Sequence, residues 1–227
     1  MHRRPVLFML CIALFSLGAT LPAQTEDPKI PGKHFILKIS AGADYSTSRT
    51  ILIFFKIPIY PQIACWIETA EGKYIDTIYV TAKGARKSFF SASSSGRPEA
   101  LPVWYHIQSG RINTDAVTSA TSAGSAEHES VSLGELRPGK YVVKMEVNRS
   151  YDYNDRYTRT NSGVNGQPSL IYRAEIDIGN SAASAELVPF GVGSPDGSDG
   201  NVRPGLGGIT TALKLIDKAE IEYVASQ

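Results

Sequence analysis

Apolar and polar residues alternate along much of this chain, and runs of period two are the mark of strands with one buried face. Residues His34–Ile39 predict a first strand, and Thr50–Ile59 a second, long and largely apolar one. Ile63–Glu68 and Tyr74–Val80 predict a hairpin that turns at Ala70–Lys73, where Gly72 tolerates positive φ. Ser130–Leu133, Tyr141–Asn148 and Ser169–Ile178 predict further strands, with a turn at Arg137–Lys140. From Thr81 to about Glu129 the pattern weakens around an aromatic island, Val103–Ile107. Pro189–Gly208 is glycine-rich and aperiodic and reads as a long loop. Ile209–Lys218 predicts one short helix and Ala219–Val224 a closing strand. Many short strands, turns between them and almost no helix predict an all-β fold, an antiparallel sandwich.

The first 23 residues stand apart. Arg3 and Arg4 precede an apolar run, Val6–Leu17, and Leu21-Pro22-Ala23 offers a cleavage site before Gln24. This is the pattern of a secretory signal, too short for the roughly 20 apolar residues of a membrane span. The expected organisation is a signal peptide over 1–23 and a single sandwich domain over 24–227. Removing 23 of the 227 residues leaves 204, and losing Arg3 and Arg4 from 23 basic residues leaves 21 against 22 acidic ones. A balance near −1 argues against nucleic acid as a partner. No other apolar run reaches spanning length, so no membrane span is expected after signal removal. Cys65 is the one cysteine left in the mature chain, in an apolar setting, and reads as a small buried hydrophobe.

Five strings carry a resemblance. They are Ala64–Val80, Arg97–Trp104, Asp115–Thr121, Pro138–Arg149 and Gly208–Leu213, in that order over most of the mature chain. Together they resemble the exported bacterial family catalogued as domain of unknown function 2271. The resemblance implies an immunoglobulin-like topology akin to flagellar hook-capping proteins, so the full expectation is an immunoglobulin-like sandwich with long irregular loops and one short C-terminal helix. It also implies a periplasmic or secreted location and association with envelope redox and flavin-transfer systems. It implies no reaction, because the family has no established activity.

Asp115–Ser122 is the sharpest short motif. It is similar to the flavinylation site of exported FMN-binding domains, which implies FMN joined to Thr121 by a phosphoester, with Asp115 and Thr118 as the motif's other members. Ser119 stands where that motif has glycine. A second candidate is Asn148–Tyr157. Tyr151, Tyr153 and Tyr157 would line one side of an extended segment beside Arg149 and Arg156, while Asp152 and Asp155 offer hard oxygen ligands for Ca²⁺. A third is the glycine-rich turn holding Asp196 and Asp199, a further Ca²⁺ candidate although it misses the EF-hand pattern. Trp104 and His106 would face a ligand from the aromatic island. The sequence holds no Gly-x-Ser-x-Gly and no His-Glu-x-x-His, and the mature histidines His34, His106 and His128 share no ligand spacing.

The reading that follows is an exported cell-envelope binding or accessory protein without catalysis of its own. Its partner would be an envelope protein or a small-molecule ligand. The alternative, from a different class, is an electron carrier with FMN on Thr121, served by a flavin transferase or a membrane reductase.

Overall fold

Alternation in the first strand does what the sequence predicts: Phe35, Leu37 and Ile39 turn inward, and His34, Ile36, Lys38 and Ser40 turn outward. The computed structural model describes residues 33–51, 55–86, 97–108, 117–119, 122–130 and 136–225. Along these residues run β1 (His34–Ala41), β2 (Thr47–Ile51), β3 (Phe55–Ile59), β4 (Gln62–Thr69) and β5 (Tyr74–Thr81). After them come β6 (Val117–Ser119), β7 (Ala126–Glu129), β8 (Gly139–Asn148) and β9 (Leu170–Ile178). The last are β10 (Ala183–Glu186), β11 (Val188–Val192), β12 (Arg203–Pro204) and β13 (Ile216–Val224). Three short helices interrupt them, α1 (Ala82–Arg86), α2 (Pro102–Ile107) and α3 (Arg159–Ser162), with 3-10 turns at Pro98–Ala100 and Thr211–Lys214.

The strands form a four-stranded sheet, β10-β13-β1-β7, and a seven-stranded sheet, β12-β11-β9-β8-β4-β5-β6, with β2 and β3 as a separate ribbon. One apolar core joins the two sheets. Leu37, Ile221 and Tyr223 of the smaller sheet meet Ile63, Cys65, Met145 and Leu170 of the larger. This is the all-β sandwich expected. Cys65 is fully buried, and burial pushes its thiol far above the ordinary range, which leaves it without thiolate character.

A second, smaller core lies on the other face of the large sheet. Ala64, Trp66, Val80 and Ile171 are covered there by Leu101, Val103 and Trp104. The segment 97–108 therefore makes a third layer over β4, β5 and β9. This is why β4 is buried along nearly its whole length instead of alternating.

Four details depart from the sequence reading. Thr50–Ile59 is not one strand: Ile51 pairs with Phe55, so the chain reverses between β2 and β3, and a continuous apolar run cannot tell one strand from two. Val188–Val192 and Arg203–Pro204 form a short antiparallel ladder inside the stretch read as a loop. The sandwich is not wholly antiparallel, because β6 runs parallel to β5. Residues 97–108 of the third layer belong to the connection between these two strands, and a parallel pair needs a long crossover. Finally, the C-terminal helix shrinks to the 3-10 turn Thr211–Lys214, with Ile216 already paired to Ala41. The carbonyls of Lys214 and Leu215 accept from Asp44 and Gly42, so they are taken by the end of β1 and do not extend a helix. A Cβ at Gly42 would strike the Lys214 carbonyl oxygen, so this close approach requires glycine.

Candidate functional site

Three irregular segments meet beside the large sheet: 97–108, 149–167 and the glycine-rich stretch 193–211. Each is locked to the next by polar side chains. Arg97 donates to Ser150 Oγ (3.1 Å) and to Asn165 Oδ1 (2.6 Å), while Asn165 donates to the Glu99 carbonyl. Gln167 accepts from the Thr210 amide (2.7 Å) and donates to Thr211 Oγ1 (2.6 Å). Asn154 donates to the Gly208 carbonyl (3.0 Å) and Arg156 to that of Gly207 (3.1 Å). His106 Nε2 lies 3.0 Å from the Gly197 carbonyl oxygen. Gly197 lies so close to Glu99 that a Cβ would meet its backbone nitrogen at 2.5 Å.

The centre of this arrangement is Glu146, which sequence reasoning missed. On β8 it faces away from the sandwich core, and it is fully buried beneath the third layer. Its Oε2 accepts the Trp104 amide (2.8 Å). Its Oε1 accepts the Val103 amide (3.2 Å) and Ser169 Oγ (2.6 Å). The carboxylate thus caps the first turn of α2 from another strand, in place of the side-chain N-cap that Leu101 cannot supply. Burial pushes its carboxyl up to about 7, and the three donors hold it from rising further. Gly193 packs directly on the pair, since a Cβ there would collide with Ser169 Oγ and Pro102.

Two of the predicted residues, Trp104 and His106, do sit in this layer. Trp104 is buried, and its Nε1 donates to Thr77 Oγ1 (2.9 Å), so it forms floor and not an open face. His106 is joined to the glycine-rich loop, as above. Trp66, also missed, donates from Nε1 to Glu68 Oε1 (2.7 Å), and Lys144 Nζ pairs with Glu68 Oε2 at 2.7 Å.

The tyrosines alternate in sequence but do not line one side of a strand. Tyr151 turns the chain with φ of 65°, a left-handed conformation costly for a bulky residue. The Arg49 guanidinium lies 4.1 Å from its ring centroid. Tyr153 donates to the Gly163 carbonyl (2.8 Å), and Tyr157 packs on the main core.

The carboxylates are mostly engaged within the protein. Asp152 is buried, accepts from Arg149 Nη2 (2.8 Å) and also accepts from the Thr211 hydroxyl. Asp155 is exposed. Asp196 accepts from Ser194 Oγ (2.6 Å) and the Ser198 amide (3.0 Å), and these bonds hold its carboxyl well below the usual range. Asp199 pairs with Arg203 (2.7 Å), which likewise lowers it. Among the described residues no three His, Cys, Asp or Glu side chains are grouped to hold a metal. Asp115 and Thr121 lie outside the described residues, and Thr118 falls on the edge strand β6. Residues 1–23, read in the sequence as a signal peptide, lie outside them as well, as do residues 131–133 of the strand expected at Ser130–Leu133.

Fold and site together define an all-β sandwich whose irregular segments build one interlocked polar layer. Residues 59–165 match the model of the family described as Predicted periplasmic protein (DUF2271). The match contains Glu146, Arg149 and Asp152 and ends before β9. The family's periplasmic description agrees with the location expected from the leader, and no helix among the described residues is long and apolar enough to cross a membrane. No curated protein and no solved structure matched the chain.

Proposed function

We propose that this periplasmic-family protein is a binding or accessory module of the cell envelope, without catalysis of its own, and that the interlocked segments are its working surface. The observation that carries the reading is the cross-linking of three loops by Arg97, Asn165, Gln167 and Asn154, which fixes irregular backbone as a sheet would. Loops held rigid on a sheet pair are where binding residues concentrate, because a pre-ordered surface loses little entropy on association. Val164 stands 42% exposed on this surface, next in the chain to Gly163, whose carbonyl accepts from the Tyr153 hydroxyl.

Site-specific photo-crosslinking in the intact native envelope tests this. A crosslinker at Tyr153 or Val164 is expected to capture one discrete component, and one at Ser184 on β10 none. No adduct from the loop positions, or the same adduct from Ser184, would reject the surface.

A second reading is covalent FMN at Thr121, making the chain an extracytoplasmic electron carrier. What supports it is the likeness of Asp115–Ser122 to the flavinylation motif, together with the place of its Val117–Ser119 as β6 at the end of the seven-stranded order. Mass analysis after co-expression with a flavin transferase is expected to find one FMN on the peptide holding Thr121. An unmodified peptide ends this reading and leaves the first intact.

A further inference from the structure

We infer that residues 101–108 form a pH-gated flap, anchored at its base where Arg97 and Glu99 are tied to Asn165, and latched over the large sheet by the clasp between Glu146, the α2 amides and Ser169. Three observations carry it. Glu146 is fully buried and comes from a strand, while the amides it holds belong to the overlying layer, so the clasp bridges the two. The underside of the flap is apolar, with Leu101, Val103 and Trp104 set on Trp66, Val80 and Ile171. Ser169 completes the clasp at 2.6 Å, a distance at which its hydroxyl serves a charged or a neutral carboxyl. With Glu146 neutral, the proton sits on Oε1 and is donated to Ser169 Oγ, while Oε2 keeps the 2.8 Å bond from Trp104. With Glu146 ionised, Ser169 reverses and donates, and a charge is held where water is excluded.

The sign follows from linkage. With the flap lifted, Glu146 is an ordinary carboxylate near 4.5; with it closed, burial raises the group to about 7. The closed form binds the proton more tightly, so its advantage is complete below 4.5 and is lost as pH rises through 7. Between pH 5 and pH 9 the open fraction should rise about 80-fold.

Other charged groups border the clasp. Lys144 lies two residues along β8, paired with Glu68 of β4, and Arg173 of β9 stands across from it. Arg97 and Glu99 lie at the anchor of the flap and His106 on the flap itself, with Asp196, Asp199 and Arg203 on the glycine-rich loop. None of these donates to or accepts from Glu146 in the bonds described above, so a Glu146 variant separates its titration from theirs.

Hydrogen exchange on the mature chain tests the flap. Protection factors of the Val103 and Trp104 amides are expected to fall about 80-fold from pH 5 to pH 9 in the wild type. They should stay level in Glu146→Gln and still fall in His106→Asn. At each pH they should be lower than those of Leu37 and Ile221 in the main core. A flat wild-type profile, an unchanged fall in Glu146→Gln, or protection equal to the main core would overturn the proposal. Should Glu146→Gln fail to fold, carboxyl ¹³C shifts in the wild type decide instead. A midpoint near 7 supports the latch, and one at the ordinary 4.5 overturns it.

Discussion

Asp152→Asn should lower the free energy of unfolding by about 3–5 kcal/mol, because it strips the charge partner from a buried arginine. Arg149 and Asp152 are 7% and 4% exposed and meet at 2.8 Å. Arg149 also donates to the Asp44 carbonyl, and Asp152 accepts from Thr211, so the pair ties the end of β8 to both the β1 turn and the β13 approach. Urea denaturation measures the loss. A double replacement by apolar residues, Arg149→Met with Asp152→Leu, should cost less than the single change, since it removes both buried charges and not one. The same experiment speaks to calcium. If Asp152 works as an internal ion-pair partner, the wild-type midpoint will not move when Ca²⁺ is added. A Ca²⁺-dependent rise in the wild type that Asp152→Asn abolishes would make Asp152 a metal ligand instead.

Trp66→Ala carries the second large effect, about 3–5 kcal/mol, the range for deleting a fully buried large side chain. Trp66 has no exposed surface, yet it lies outside the main core. Its burial depends on segment 97–108 remaining seated. The variant leaves a cavity between the sheet and the flap, and it deprives Glu68 Oε1 of its 2.7 Å donor. Denaturant unfolding with a cost below about 1 kcal/mol would mean that Trp66 is solvated for much of the time and that the third layer is not stably closed.

The strands were the legible part of this chain, and for a physical reason. β1, and β9 from Tyr172 onward, set one face on the main core and turn the other outward, so period two is written into their residues; β5 and the end of β8 are covered on both faces, and the wet face that the alternation of Tyr74–Val80 predicts is not there beyond Thr77. The third layer was not legible. Val103–Ile107 is a short apolar run that periodicity cannot assign, although Pro102 at the first helical position was a usable signal. Glu146 was hidden more deeply. Between Met145 and Val147 it reads as the wet side of an alternating strand, and only a segment some forty residues earlier turns that side into an interior. The tyrosine segment failed in the opposite way. Its alternation is real in the sequence, but the left-handed turn at Tyr151 sends the rings to Arg49, to Gly163 and to the main core. Asp196 and Asp199 look like ligands because carboxylates in glycine turns resemble metal loops. Here the same geometry serves Ser194, Ser198 and Arg203.

The chain has two tryptophans, and both lie in the small cluster beneath segment 97–108. Intrinsic tryptophan fluorescence therefore looks at the contact between the outer layer and the large sheet, whereas far-ultraviolet circular dichroism weighs the strands of both sheets. Melts followed by the two signals are distinct experiments on this molecule. The gap between their midpoints measures how tightly the covering layer is coupled to the sheets it rests on.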